Sequence, residues 1–242
     1  MLLAIDIGNS NVTYGIFDKN KWISFYRIES NINSIEKLLN IKKYNIKNIA
    51  ISSVVPELTR LYSDFLYQSY NIKPLIINHE NAKILLNVDS PNEVGSDRIC
   101  NAAAAIKLFD TPTIIGDIGS ATNYDVIDEN KAFIGGSIAP GLETAAKHLF
   151  EKAALLEEIA FTVPKLAIGK NTKTNLQSGI MFGAIDVIDG MLNRIIKESN
   201  WNKFNIIITG GFGKLISPHL KTKHQLISNL TLEGIRIIYN QQ

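Results

Sequence analysis

Two Asp-x-Gly turns are the first places in this sequence where residue types and spacing could support chemistry. Asp6-Ile7-Gly8 and Asp117-Ile118-Gly119 each end an apolar run, and small polar residues follow both. A carboxylate at such a turn can hold Mg²⁺ directly or through water, while small side chains let phosphate oxygens reach backbone N–H groups. The pattern indicates a metal–polyphosphate site, although an ordinary hairpin with an acid in its turn explains the first stretch equally well.

A third acid, Asp97, precedes Arg98 and an alanine-rich stretch that predicts a helix up to about Leu108. An acid in the first turn of a helix can simply stabilise the helix dipole or cap its N–H groups. It can also serve as a general base, with the neighbouring arginine holding an anionic group. The spacing alone leaves both roles open.

The elements that position these acids form an internal repeat. The stretch from Leu2 to Thr13 returns at Thr113 to Asp128, and matching extended segments follow at Trp22–Ile28 and Ala132–Ile138. Apolar runs without polar alternation are typical of buried strands. The repeat therefore predicts two copies of a three-strand meander, each with its acid at the first turn.

The remaining pattern alternates helices and strands, which predicts mixed sheets flanked by helices. Residues 84–91 have no clear periodicity and are expected to form a loop. Helices are expected over Glu57–Tyr70, Leu142–Leu156 and Thr174–Glu198, and strands over Ile49–Val55, Pro74–Ile77 and Phe204–Ile208.

Composition places the chain among ordinary globular proteins, with 45% apolar and 20% charged residues in 242. The net charge of +2 without a dense basic face argues against a nucleic-acid partner. No apolar run approaches the ~20 residues of a membrane helix, and no signal-peptide pattern is present. We therefore expect no membrane partner and a cytoplasmic location.

Several other sites are excluded by the sequence itself. Cys100 is the single cysteine, so no internal disulfide forms, and its alanine-rich surroundings predict a packed residue rather than a nucleophile. The four histidines lack metal-ligand spacing. The chain also contains no G-x-x-x-x-G-K-[ST] loop and no protein-kinase motif set.

Several motifs in order along nearly the whole chain carry a family resemblance. The two Asp-x-Gly turns and Thr209-Gly210-Gly211 resemble the phosphate and adenosine motifs of the acetate kinase, sugar kinase, Hsp70 and actin superfamily. Within it the chain resembles type III pantothenate kinases. That narrower resemblance is carried by Pro91–Arg98, Gly135–Gly141, Gly169–Thr172, Gln177–Gly179 and Leu232–Tyr239.

The resemblance implies a duplicated ribonuclease-H-like, actin-like ATPase fold with mixed five-stranded sheets, divided at residues 1–111 and 112–242. It implies an enzyme that transfers the γ-phosphoryl group of ATP to pantothenate in the first step of coenzyme A biosynthesis. The implied cofactors are ATP with Mg²⁺ and a monovalent cation, K⁺ or NH₄⁺. The family is typically a homodimer.

The resemblance also assigns roles residue by residue. Asp97 is implied as the proton acceptor, Asp117 as the monovalent-cation ligand, and Asp6 as the residue that positions Mg²⁺ through the phosphates. Ser120 is implied as a further ATP contact. The implied phosphate-binding residues are Asp6, Ile7, Gly8, Asn9, Ser10, Asn11, Val12 and Thr13. The implied pantothenate-binding residues are Gly95, Ser96, Asp97, Arg98 and Thr172.

Three positions depart from the family pattern: Val88 replaces a usual tyrosine, Ser96 a usual alanine, and Ser120 a threonine whose hydroxyl it keeps. Two alternative functions follow from the same motifs. One is a small-molecule kinase with another acceptor, against which the Asp97-Arg98 and Thr172 motifs argue. The other is a non-catalytic regulator of the same fold, against which the three retained carboxylates argue.

Overall fold

A computed structural model describes residues 1–153 and 155–242, apart from the side chain of Leu39. The described chain forms two compact units. Unit one comprises residues 1–110, 127–134 and 229–242, and unit two comprises residues 111–126 and 135–228.

Strands and helices alternate after each meander, as the pattern predicted. The strands are β1 (Leu2–Ile7), β2 (Asn11–Asp18), β3 (Lys21–Glu29), β4 (Asn48–Ser53), β5 (Leu75–Ile76), β6 (Leu85–Leu86), β7 (Thr113–Ile118), β8 (Ala121–Ile127), β9 (Ala132–Pro140), β10 (Asn205–Thr209) and β11 (Gln225–Leu226). The α-helices are α1 (Pro56–Tyr70), α2 (Ser96–Leu108), α3 (Leu142–Lys152), α4 (Thr172–Ser199), α5 (Gly213–Ile216) and α6 (Leu230–Tyr239). Short 3-10 helices cover Ile32–Ile41, Pro91–Glu93 and Ser217–His219.

The predicted fold class is confirmed by two mixed sheets flanked by helices. The first sheet has the order β3-β2-β1-β4-β5, with β1 antiparallel to β2 and parallel to β4. The second has the order β11-β10-β7-β8-β9-β6, with β7 parallel to β10. It therefore contains six strands rather than the predicted five.

The sixth strand, β6, lies in the stretch that was predicted to be a loop. Leu85 and Leu86 pair in parallel with Ala132 and Phe133, and all four residues belong to unit one. A two-residue pairing is too short to leave a period-2 pattern in the sequence, which explains the error.

The internal repeat is confirmed in detail. β1 and β7 have the same burial pattern, in which only the fifth residue, Asp6 or Asp117, is partly exposed. Each acid also lies beside a hydroxyl residue of the neighbouring parallel strand, since Asp6 pairs with Ser52 and Asp117 with Thr209. The two meanders therefore present their carboxylates at equivalent points of two sheets.

The helices agree with the sequence expectations except near α3. α1 and α4 begin and end within two residues of the predicted bounds, and α2 ends at the predicted Leu108. α3 ends at Lys152, four residues before the predicted Leu156. Ala154, which the prediction included, lies outside the described residues. In residues 1–153 and 155–242, no helix is long and apolar enough to cross a membrane.

The C-terminal helix α6 packs with unit one, although the sequence division placed it in the second half. Its residues Leu232, Ile235 and Ile238 are buried in a core that also contains Cys100 and Ala103 of α2. A close crossing permits this packing, because a Cβ placed on Gly234 would lie 1.8 Å from the backbone oxygen of Cys100. The division into residues 1–111 and 112–242 remains a prediction about domains.

Gly234→Ala is expected to destabilise the protein, because the added methyl group must push α6 away from the backbone of α2. Overpacking of this kind costs about 1–3 kcal/mol of unfolding free energy. Gly190→Ala in α4 is the matched control, since a Cβ there meets no described atom within 4 Å. That variant is expected to gain about 0.5–1 kcal/mol from reduced chain entropy. Urea unfolding of both variants measures the difference, and equal midpoints would contradict the close crossing.

Candidate active site

The alternation of side chains along two neighbouring strands directs Asp6 toward α2. Leu2 and Ala4 of β1 pack in the core that contains α2 and α6, whereas Leu3, Ile5 and Ile7 pack in the opposite core. Since successive side chains of a strand alternate between faces, Asp6 belongs to the α2 side. Ala50 lies in the same core, which places Ser52 of β4 on that side as well.

A cluster of three serines, Ser52, Ser53 and Ser96, joins the end of β4 to the start of α2. The Ser52 hydroxyl donates to Oδ1 of Asp6 at 2.9 Å and lies 3.2 Å from the hydroxyl of Ser96. Ser96 Oγ accepts the backbone N–H of Ser53 at 2.7 Å and donates to the Ser53 carbonyl at 2.9 Å. Ser52 and Ser96 are both buried. The first turn of α2 is thereby fixed to the strand that holds Asp6.

The carboxylate of Asp97 is held at the start of α2. Its Oδ1 accepts the backbone N–H of Arg98 at 2.8 Å, which is the helix-terminal role that the sequence left open. A Cβ on Gly95 would lie 2.6 Å from that same oxygen, so the glycine makes room for the carboxylate. The guanidinium of Arg98 lies 5.3 Å from the centre of the Phe133 ring, which orients the arginine.

Burial sets the acidity of Asp97. Desolvation of the carboxylate raises its pKa, and the opposing effects of the backbone N–H and positive charge of Arg98 and of its own N–H do not cancel the increase. A carboxylate with a raised pKa is a better proton acceptor than an exposed one. The same group can therefore accept a first-turn N–H of the helix and act as a base.

The first Asp-x-Gly turn has a backbone shape held by hydrogen bonds. Gly8 N–H donates to the carbonyl of Asn11 at 3.0 Å, and Ser30 N–H donates to the carbonyl of Ser10 at 3.0 Å. The Ser30 hydroxyl also donates to the carbonyl of Gly8 at 2.6 Å. Asn9 and Ser10 are exposed at the tip. The turn thus combines a fixed backbone with an open surface, as a phosphate-binding turn requires.

The second turn, in unit two, is crowded by backbone. Gly210 has φ of +88°, and a Cβ on it would lie 2.4 Å from Oδ1 of Asp117 and 2.5 Å from the carbonyl oxygen of Ile118. A Cβ on Gly141 would lie 2.2 Å from the carbonyl oxygen of Gly119. Asp117 is therefore surrounded by closely packed backbone at a point where only glycines fit.

The residues that could hold a cation at this second turn are Asp117 and nearby carbonyls. Within the described ranges, no three side chains of histidine, cysteine, aspartate or glutamate come together as a metal site. A carboxylate with backbone carbonyls is a donor set suited to a hard cation. The donor chemistry at Asp117 therefore fits a monovalent cation without a cluster of acidic side chains.

The other predicted residues lie at separate positions. The carbonyl of Ser120 accepts hydrogen bonds from Gly141 N–H at 3.1 Å and the Thr144 hydroxyl at 2.7 Å. Thr172 is exposed at the first residue of α4, immediately after the capping residue Asn171. Val88 is partly buried two residues after β6.

Cys100 is confirmed as a packed residue. It is fully buried, and it is near enough to Ser52, Asp6 and Asp97 to interact electrostatically with them. Burial, reinforced by the two carboxylates, raises the pKa of its thiol well above the ordinary value. A thiol that stays protonated is a poor nucleophile.

Sequence reasoning missed Ser52, Ser53 and Ser30, and it missed the structural role of the Ser96 side chain. Their only sequence signal is position: Ser52 and Ser53 end an apolar run, and Ser30 follows the third strand of the meander. Which residue of β4 lies beside Asp6 depends on the register between strands that are distant in sequence. That register becomes visible only in the folded chain.

Comparison with known families and proteins identifies one consistent similarity. Residues 2–194 match the family model described as type III pantothenate kinase. A type III pantothenate kinase of Citrifermentans bemidjiense is 36% identical, and the match covers 100% of this chain and 99% of that protein. A type III pantothenate kinase of Finegoldia magna is 38% identical, with 98% and 96% of the two chains covered.

Solved structures share the fold at lower identity. A conserved putative Baf family transcriptional activator from Campylobacter jejuni has a TM-score of 0.60 and 22% identity, covering 99% of this chain and 98% of its own. The inorganic polyphosphate/ATP-glucomannokinase from Arthrobacter sp. strain KM has a TM-score of 0.51 and 12% identity, covering 100% and 99%. These likenesses confirm the actin-like ATPase and sugar kinase type of fold.

Asp97→Asn is expected to stabilise the protein at pH 8, because it removes a desolvated charge yet keeps an oxygen for the Arg98 N–H. The pKa of Asp97 is raised in the folded state. The wild type therefore loses stability as pH rises from the unfolded pKa, about 4, through the folded value. The advantage of Asp97→Asn should appear across that window and vanish below it, as measured by urea unfolding at pH 3.5 to 8. A destabilised variant at pH 8 would contradict the assignment.

Proposed function

The chain belongs to the type III pantothenate kinase family, and we propose how its residues divide the work of that reaction. The enzyme phosphorylates pantothenate with ATP, giving 4'-phosphopantothenate for coenzyme A biosynthesis. The observation that carries our assignment is Asp97, a partly buried carboxylate of raised pKa whose helix is tied through Ser96 and Ser52 to Asp6. Phosphoryl transfer needs such positioning and charge placement more than covalent chemistry.

Asp97 is proposed as the base. As the hydroxyl oxygen of pantothenate forms its bond to the γ-phosphorus, the bond to the β-phosphate oxygen breaks and ADP leaves. The hydroxyl proton passes to the Asp97 carboxylate, whose orientation is fixed by Arg98 N–H at 2.8 Å. The raised pKa supports this role because it makes the carboxylate more basic.

The first turn is proposed to bind the phosphates of ATP. Asp6 lies at the end of β1, and the turn after it has an exposed tip of small polar residues. Bound Mg²⁺ supplies charge neutralisation on the phosphates, and Asp6 is the side chain that would position it. The proposed phosphate-binding residues are Asp6, Ile7, Gly8, Asn9, Ser10, Asn11, Val12 and Thr13.

We propose that Asp117 and Ser120 are the functional residues of the second turn. Asp117 would bind K⁺ or NH₄⁺ with neighbouring carbonyls, which is supported by the close backbone packing at Gly210. The Ser120 hydroxyl would contact ATP, while its carbonyl is already engaged with Gly141 and Thr144.

Pantothenate is proposed to contact Gly95, Ser96, Arg98 and Thr172, in addition to Asp97. The guanidinium of Arg98 can hold the pantothenate carboxylate by charge-assisted hydrogen bonds. The side chain of Ser96 is engaged with Ser53, so its contribution would come through the backbone. Because the reaction consumes ATP, we also propose a cytoplasmic location.

The alternatives are less well supported. A sugar-kinase function is suggested by the structural similarity to a glucomannokinase. At 12% identity, that similarity supports only a shared fold and not a shared activity. A regulatory function is suggested by the description of the Campylobacter jejuni protein as a putative transcriptional activator. At 22% identity, that similarity also supports only a shared fold. The raised pKa of the partly buried Asp97 carboxylate and the matched family favour catalysis over either alternative.

A coupled assay with Mg-ATP and pantothenate, run in K⁺ and again in Na⁺ alone, tests the assignment. We expect product with K⁺, at least about 10-fold less with Na⁺, and a further loss of about 10²–10⁴-fold in kcat for Asp97→Asn. Asp97→Asn should still bind ATP, as measured by calorimetry. Folded wild-type enzyme that binds ATP but forms no phosphopantothenate under either cation would overturn the proposal.

We propose that the enzyme is a homodimer that associates through α4 of unit two. Gly179 and Gly183 lie on one face of this 28-residue helix, and a Cβ on either meets no described atom within 4 Å. Both glycines line a cavity of about 390 Å³ together with Leu149 and Val187. An open glycine face of this kind allows the backbone of another helix to approach closely.

A second copy is the occupant that this surface fits. In an antiparallel pair of α4 helices related by a two-fold axis at Gly183, Val187 would face the partner's Gly179, and the same contact would repeat on the other side. Two apolar side chains that line the same cavity are exposed, since Leu149 is 41% exposed and Val187 is 59% exposed. An exposed apolar surface beside an open glycine face is typical of a surface that a partner subunit covers.

Val187→Glu is expected to convert the dimer to a monomer at about 10 µM, because it places an unpaired charge in an apolar contact. Tyr67→Glu on α1 is the matched control, since Tyr67 is 54% exposed and Val187 is 59% exposed. Light scattering after size exclusion gives the masses. A Val187→Glu variant that keeps a dimeric mass would contradict the proposed interface, and so would a monomeric wild type.

A further inference from the structure

The serine cluster lies between the two carboxylates that the proposed mechanism uses. We propose that Ser52 is a positioning residue for phosphoryl transfer, because its hydroxyl orients the Asp6 carboxylate, and that Ser96 couples this orientation to the helix that carries Asp97. The inference rests on the proposed function, since it concerns how that site is held in shape.

The hydrogen bonds of the cluster run in sequence. Ser52 Oγ has a single proton, which it donates to Asp6 Oδ1, 2.9 Å away. The Ser96 proton is directed to the carbonyl of Ser53 at 2.9 Å, and Ser52 Oγ is its second acceptor at 3.2 Å. Hydrogen-bond donation within the cluster therefore runs in one direction, from Ser96 at the start of α2 through Ser52 to Asp6.

Ser96 has a second role in this cluster. By accepting the N–H of Ser53 and donating to its carbonyl, it uses both backbone groups of the last residue of β4. The Thr59 hydroxyl donates to Ser53 Oγ at 2.6 Å, so α1 is attached to the same residue. A strand end held from two helices has little freedom to shift relative to Asp97.

The serine cluster matters for the reaction because it fixes where the Asp6 and Asp97 carboxylates lie. Asp6 serves the phosphates and Asp97 serves the acceptor hydroxyl, so the acceptor oxygen meets the γ-phosphorus in line only if both carboxylates keep their places. Displacements of about 1 Å at a reacting group can reduce rates by about 10²-fold. Ser52 is fully buried, and its hydroxyl contacts both the Asp6 carboxylate and Ser96, which attaches the helix of Asp97. Ser52 is therefore suited to prevent such a displacement.

Ser52→Ala is the main test. We expect kcat to fall about 10–100-fold while the KM for pantothenate changes less than about 3-fold, because the acceptor contacts remain and the alignment is lost. Ser52→Thr retains the hydroxyl and should recover most of kcat if it folds. Thr113→Val is the control, because it removes a buried hydroxyl that donates to the backbone carbonyl of Thr111 in unit two.

Ser96→Ala tests the coupling. Since the motif that this chain resembles has alanine there, the single change should lower kcat only about 2–5-fold. Ser96→Ala combined with Ser52→Ala should lower kcat no more than Ser52→Ala alone, because the two residues act through one chain of hydrogen bonds. Independent, multiplying effects would overturn the coupling.

A binding measurement separates this inference from the proposed activity. Calorimetry with ADP, with and without Mg²⁺, reports the Asp6 side of the site even if pantothenate is not the acceptor. We expect Mg²⁺ to strengthen ADP binding by the wild type. In Ser52→Ala, the factor by which Mg²⁺ increases ADP affinity should be about 3–10-fold smaller. Unchanged kcat together with an unchanged Mg²⁺ effect in folded Ser52→Ala would overturn the positioning role, whereas absent phosphopantothenate with a lost Mg²⁺ effect would overturn only the proposed acceptor.

Discussion

The structure of unit one depends on the contact between the first turns of α2 and the carboxyl ends of β1 and β4. Asp6 lies at the end of β1, and Asp97 lies in the first turn of α2. The protein stabilises this contact from both sides of α2. Ser96 binds the end of β4 on one side. On the other, α6 approaches Cys100 closely enough that Gly234 has no room for a side chain.

The duplicated meander shows how one strand pattern places two aspartates in different surroundings. β1 and β7 bury the same positions and present an aspartate at the same point. The neighbouring strand then decides the chemistry. Beside Asp6, β4 supplies a serine hydroxyl that donates to the carboxylate. Beside Asp117, β10 leads directly into Gly210, whose positive φ and lack of a side chain bring backbone against the acid.

Features within a single stretch of sequence could be predicted, and features that depend on pairing between distant stretches could not. The Asp-x-Gly turns, the repeat and the start of α2 follow from local order and periodicity, and the structure has all three. Ser52 was missed because its position beside Asp6 depends on the register between β1 and β4. The attachment of α6 to unit one was missed because an apolar helix does not indicate which surface it covers.

Asp97 illustrates why a desolvated carboxylate needs several supporting contacts. Desolvation makes its carboxylate basic, and the same desolvation makes the ionised form unfavourable in the folded chain. The helix N-terminus, Arg98 and the space at Gly95 reduce that penalty without removing it. If they cancelled it, the pKa of Asp97 would return to its ordinary value and the carboxylate would be less basic. The remaining destabilisation must be offset elsewhere, and the apolar contacts between α2 and α6 are the nearest source of that stability.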